Sequence, residues 1–169
     1  VGRLNSVLRE ILPINPLNDH QKMAYDEIVR SFQSKNVCLL HGVTASGKTE
    51  IYIHLIEETI RQGKQVLYLL PEIALTTQIT ERLQLGYDII LGVRSSVFLP
   101  FRNLGLVIVD EEHENTYKQQ DPAPRYHARN AAIILAAMYG AKTLLGTATP
   151  SIETGHNASS GKYGLVELK

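Results

Sequence analysis

One octapeptide constrains this chain more than any other: Gly42-Val43-Thr44-Ala45-Ser46-Gly47-Lys48-Thr49. It lies between the apolar run 37–40 and a helix-patterned segment over about 48–62, so a buried strand must turn sharply into the start of a helix. In that setting the glycines let backbone N–H groups close around phosphate oxygens, and the helix N-terminus adds a favourable dipole. Residues 42–49 are therefore expected to form a P-loop that takes ATP or GTP. Lys48 would neutralise the β- and γ-phosphates, and the Thr49 hydroxyl would ligate Mg²⁺. Without a ligand the Lys48 ammonium is expected to face solvent. A chance glycine-rich turn is the alternative, but it requires neither the strand before nor the helix after.

Short apolar runs and amphipathic segments alternate along the rest of the chain. A helix capped near Asn18 or Asp19 precedes the run 37–40, and the run 66–70 follows the P-loop helix. Then come a helix over about 73–83, runs at 89–91 and 106–109, a helix over 127–138 and a run at 143–145. This order predicts an α/β fold with a mostly parallel sheet flanked by helices, and ligands at the carboxyl ends of the strands. The length suits one domain over 17–169, while residues 1–16, with Pro13 and Pro16, read as a linker from a preceding region. Basic and acidic side chains balance at 17 each, so no global positive field exists and any nucleic-acid contact must be local. The single cysteine, Cys38, lies in an apolar run and reads as a core thiol suited to a reducing cytosol. No apolar stretch approaches the roughly 18 to 20 residues that span a bilayer, and no signal-peptide pattern opens the chain. The expected location is cytoplasmic.

Asp110-Glu111-Glu112-His113 follows the run 106–109, which brings its acids out at the carboxyl end of a second buried strand. There Asp110 is expected to hold Mg²⁺ and Glu111 to polarise the attacking water, making Lys48, Asp110 and Glu111 the catalytic candidates. An acidic cluster is more often a solvated surface. Four apolar residues running straight into acids, in a chain with a P-loop, favour the catalytic reading. Gly146-Thr147-Ala148-Thr149-Pro150 ends the run 143–145 with small hydroxyl residues, and Thr147 and Thr149 could link the γ-phosphate site to a neighbouring surface. Gln21, in Leu17-Asn18-Asp19-His20-Gln21, has the donor and acceptor that complement an adenine edge, though the residues by themselves favour a helix cap followed by a solvated glutamine. The segment 117–129 mixes rings, cations and prolines. Tyr117, Lys118, Arg125, Tyr126 and Arg129 could stack on bases and meet phosphates of a single strand, or form a surface loop with packed tyrosines. His113 and His127 lack partners at zinc-like spacing.

Taken together, the strings LNDHQ, GVTASGKTE, LLPEIALTTQ, LGVRS, VDEEHENTYKQQDPAPRYHARN and LLGTATPS resemble the replication-restart helicases, a primosomal family of the DExH-type superfamily 2 helicases. The likeness runs from about residue 17 to the C-terminus. It implies a RecA-like P-loop NTPase domain, the first of two motor domains in an enzyme that moves 3′ to 5′ on single-stranded DNA. It also implies ATP and Mg²⁺ as cofactors, forked DNA as a substrate, and primosome and single-strand-binding proteins as partners. By this resemblance Gln21 is the adenine reader, Pro71, Glu72 and Thr76 in PEIALT and Arg94-Ser95 contact the strand, and the segment 117–129 is a loop coupling DNA contact to hydrolysis. The family's N-terminal DNA-binding domain, zinc-binding cysteines and second motor domain with its arginine finger have no match in this stretch, so the chain alone is expected to hydrolyse ATP slowly. Thr77 stands where the family usually has proline. Gln84 joins Leu85 where the family usually carries a further strand and helix.

Two other functions use a P-loop. A nucleotide-gated module that holds DNA or a partner without efficient turnover would differ in showing no DNA-stimulated phosphate release. A small-molecule kinase would share the P-loop but has no use for the DEEH and GTATP strings.

Overall fold

The computed structural model describes residues 15–42, 47–69, 89–92, 101–110, 122–150 and 152–168. Within them the elements run α1 (Asp19–Ser31), β1 (Val37–Gly42), α2 (Lys48–Arg61), β2 (Gln65–Leu69), β3 (Ile89–Gly92), β4 (Leu104–Asp110), α3 (Pro122–Met138), β5 (Lys142–Thr147), α4 (Ile152–Ser159) and β6 (Gly164–Leu168). The strands form one sheet in the order β3-β2-β4-β5-β1-β6, with every neighbouring pair parallel.

Strand periodicity divides the core into two layers, because successive side chains point to opposite faces. On one face Cys38, Leu40, Val66, Tyr68, Leu106, Ile108 and Leu144 meet Ala24 and Ile28 of α1 and Ile51, Tyr52 and Ile56 of α2. On the other face Val37, Leu39, Leu67, Leu69, Val107, Val109 and Leu145 meet Ala132 and Ala136 of α3 and Ala158 of α4. Burial of each large side chain contributes about 1.5–3 kcal/mol. Strands covered on both faces read as continuous apolar runs, which is why β1, β2, β4 and β5 are visible in the sequence. β6 is different: it lies at the sheet edge and alternates buried and exposed positions, with Leu165 and Glu167 outward.

α1 starts where the sequence predicts. Asn18 is the N-cap, its Oδ1 accepting the Gln21 N–H at 2.8 Å, while Gln21 Oε1 accepts the Asn18 N–H at 2.9 Å. This reciprocal pair is a capping box, and Gln21, Ala24 and Ile28 then form the buried face at helical spacing.

Three elements differ from the sequence reading. α3 begins at Pro122 rather than residue 127, so the second half of the expected loop 117–129 is helical. Pro122 and Pro124 are compatible with this, since first-turn N–H groups have no partner within the helix. α4 and β6 have no counterpart in the sequence reading. α4 has only 8 residues, and the five residues of β6 show the alternation of an edge strand rather than an apolar run. The helix expected over 73–83 lies outside the described residues.

The topology sets where a ligand can sit. β1 leaves the sheet through α2 on one face, while its neighbour β5 leaves through α4 on the other. Adjacent strands whose connections diverge open a crevice at their carboxyl ends, where Gly42 ends β1, Lys48 opens α2 and residues 146–150 end β5 and follow it.

Candidate nucleotide site

β1 ends at Gly42 and α2 opens at Lys48, with Gly47 as the N-cap at φ 92°. That backbone lies in the region that favours glycine, and a Cβ there would fall on the Gln21 side-chain amide. Gly47 brings no side-chain cap, so the first turn of α2 presents backbone N–H groups as an anion site would need.

Lys48 corrects an expectation. Its ammonium does not face solvent; the residue is only 7% exposed, and Nζ donates to the Gly42 carbonyl at 2.7 Å. The cation is thus held between the end of β1 and the start of α2, the position of the phosphates in a P-loop. Thr49, next along, is exposed.

Gln21 also differs from the solvated glutamine that its residues alone suggested. It is buried, and Nε2 donates to the Gly47 carbonyl at 3.1 Å while Oε1 completes the α1 cap. The amide keeps a second N–H and a second lone pair for another partner.

The acidic strand end arrives beside these groups through the sheet register. Asp110 lies level with Gly146 of β5, and Gly146 with Leu40 of β1, two residues before the P-loop. Tyr52, fully buried on α2, donates its hydroxyl to Asp110 Oδ1 at 2.9 Å. Thr147 is fully buried, and its Oγ1 accepts the Thr149 N–H at 3.0 Å, which shapes the turn after β5; Thr149 itself is exposed. His41 Nε2 lies 3.1 Å from the Ala148 carbonyl, tying the last turn of β1 to the same string.

Among the described residues no cluster of three metal-binding side chains exists. A magnesium ion fits the set nonetheless. Thr49 and Asp110 offer hard oxygen donors, and Mg²⁺ at nucleotide sites draws most of its shell from phosphates and water.

Other candidates divide into those the structure places and those it does not. Arg129 is 9% exposed, and its Nη2 pairs with Glu153 Oε2 at 3.2 Å, joining α3 to α4. It is not the open cation that a strand contact requires. Arg125 and Tyr126 fall in the first turns of α3, and their side chains lie outside the description. Val43, Thr44, Ala45, Ser46, Pro71, Glu72, Thr76, Arg94, Ser95, Glu111, Tyr117 and Lys118 lie outside the described residues. Sequence reasoning missed Tyr52 and His41. Tyr52 had a usable signal, since it follows Thr49 by three residues and Lys48 by four and so shares their helix face.

The parallel sheet, the glycine-opened helix and the acidic strand end define a RecA-like P-loop NTPase domain. Residues 18–93 match the DEAD/DEAH box helicase family. More particularly, the chain is similar to replication restart protein PriA. The Bacillus subtilis protein is 41% identical over 184 positions that cover 91% of this chain and 23% of that protein. The Haemophilus influenzae protein is 43% identical, with 90% and 24% covered, and the Rickettsia felis protein 38% identical, with 99% and 33% covered. The chain therefore spans about a quarter to a third of the length of these relatives. Among solved structures, the DUF1998 helicase MrfA bound to DNA superposes with a TM-score of 0.59 at 20% identity, covering 99% of this chain and 29% of that one. The replication initiator DnaA bound to AMPPCP and single-stranded DNA superposes at 0.55 and 15%, covering 92% and 51%. At these identities the likeness is one of fold.

Proposed function

We propose that this chain is the ATP-binding first motor domain of a 3′ to 5′ DNA helicase that acts in replication restart and primosome assembly. The observation that carries the proposal is the seat of Lys48. Its ammonium lies on the Gly42 carbonyl at the mouth of a glycine-opened helix, beside the strand that ends in Asp110. Residues 42–49 would wrap the phosphates, and Lys48 would exchange the carbonyl for phosphate oxygens. Thr49 and Asp110 would hold Mg²⁺, which when bound neutralises charge on the transferring phosphoryl group. Glu111 would orient and polarise the attacking water, and Gln21 would use its spare donor and acceptor on the adenine edge. Thr147 and Thr149 would carry the state of the γ-phosphate site to the adjoining surface.

DNA contact is assigned to Pro71, Glu72, Thr76, Arg94 and Ser95, and to Tyr117, Lys118, Arg125 and Tyr126. Arg129 serves α3 packing in this proposal. The complete enzyme would act on single-stranded and forked DNA alongside primosome and single-strand-binding proteins, in the cytoplasm. We place the family's missing strand and helix between Gln84 and Leu85. A second motor domain would supply the arginine finger, which elsewhere raises turnover about 10³- to 10⁵-fold, so this chain alone should bind Mg-ATP and hydrolyse it slowly.

Thermal unfolding with and without Mg-ATP is the first test, because a ligand that binds the native state must stabilise it. Phosphate release by a two-motor-domain enzyme, measured with and without single-stranded DNA, is the second. Stimulation by DNA supports the motor; nucleotide binding without stimulation points to a gated binding module instead.

A further inference from the structure

Among the described residues, the nucleotide-site residues that sequence motifs mark lie in the first turn of a helix, at a strand end or in the turn that follows it. Tyr52 does not. It sits one helical turn beyond Lys48 and Thr49 on the same face of α2, fully buried, with its ring edge-on to Tyr68 of β2 at 5.7 Å between centroids. Its hydroxyl reaches past β5 to Asp110 Oδ1 at 2.9 Å. The passage exists because β5 carries glycine where it runs level with Asp110: a Cβ on Gly146 would fall on the Tyr52 hydroxyl and come within 2.7 Å of its Cζ. The P-loop helix, the acidic strand and the GTATP strand therefore meet at one phenol.

We propose that Tyr52 is a positioning residue for the metal site, holding the Asp110 carboxylate in the orientation that receives Mg²⁺ and fixing it relative to Lys48 and Thr49. This rests on the nucleotide-site reading given above. By donating to one carboxylate oxygen, the phenol restricts the rotation of Asp110 and so sets the direction in which its carboxylate is presented. Gly146 has the complementary role of leaving space for the phenol. Groups that orient metal ligands through hydrogen bonds commonly change metal affinity by about 10- to 100-fold when removed.

The test is Tyr52→Phe in this chain, which keeps the ring and its contact with Tyr68 and removes only the hydroxyl. Two constants are measured with a non-hydrolysable ATP analogue: nucleotide affinity in EDTA, and the Mg²⁺ concentration that half-saturates the metal-dependent gain in affinity. The expected result is an unchanged metal-free affinity with a Mg²⁺ requirement raised about tenfold. Gly146→Ala, which drives the phenol off its path, should raise the requirement in the same way. An unchanged Mg²⁺ requirement in Tyr52→Phe would overturn the inference and leave the nucleotide site standing. Equal weakening with and without metal would also overturn it, since that is the mark of a packing role. If the wild-type chain binds no nucleotide at all, both the nucleotide-site reading and this inference fail.

Discussion

Lys48 shows how a residue's identity can be legible while its resting environment is not. The P-loop string predicts a lysine for phosphate, but the ammonium's place on Gly42 O, away from water, follows from how α2 docks against β1. Lys48→Ala should remove the phosphate cation and leave the core layers intact. The expected outcome is loss of the nucleotide-induced rise in melting temperature; for wild type at 100 times Kd, that rise corresponds to about 2.7 kcal/mol. A normal shift in the mutant would refute the role. Cys38 makes a prediction about pH. Burial pushes its thiol from 9.0 to about 11, and the neighbouring Ser31 only partly offsets this. The folded state thus favours the protonated thiol more than the unfolded state does. The resulting stability is complete below about pH 9 and is lost as pH rises through about 11, a span worth roughly 3 kcal/mol. Tyr25, also raised chiefly by burial, adds loss in the same direction. Melting curves from pH 8 to 11 should therefore fall less steeply in Cys38→Ala than in wild type; equal slopes would show that the thiol is not titrating as described.

At the scale of elements, α3 carries the sharpest open question. The chemistry of 117–129 suggests a strand-gripping loop, yet its second half forms the first turns of a helix whose Arg129 is committed to Glu153. The proposed DNA-sensing role is therefore tested at Tyr117, Arg125 and Tyr126. Replacing these three by alanine in a two-motor-domain enzyme should remove base stacking worth about 1–3 kcal/mol per base. The ATPase should then lose its stimulation by single-stranded DNA while basal turnover and nucleotide binding stay near wild type. The measurement is hydrolysis rate against DNA concentration, with melting temperature as a control. Full stimulation in a stable variant would leave 117–129 as structure only. α3 also shows a limit of pattern reading: proline usually signals a break, but in a first turn it costs no hydrogen bond, so the helix starts five residues before its apolar periodicity becomes readable.

At the scale of the whole molecule, the sheet brings the ends of β1, β4 and β5 to one edge, and the proposed turnover would belong to that assembly rather than to any single motif. Glu111→Gln in a two-motor-domain enzyme should keep Mg-ATP bound and stop hydrolysis, because an amide cannot polarise water as a carboxylate does. Wild-type phosphate release by that variant would assign the base elsewhere. The sequence by itself determined the fold class, the order of the described strands and helices through β5, the capped start of α1 and the glycine that opens α2. Each of these is local: buried parallel strands read as apolar runs, and caps and glycine-rich turns act over a few residues. Only the tertiary structure decided the rest. α4 and β6 were hidden by a short helix and by an edge strand that alternates instead of running apolar. The burial of Gln21 against Gly47, 26 residues away, depends on α1 docking over α2's first turn. The Tyr52 bond to Asp110 spans 58 residues, and it forms because parallel register sets Asp110 beside the glycine of β5 that leaves room for the phenol.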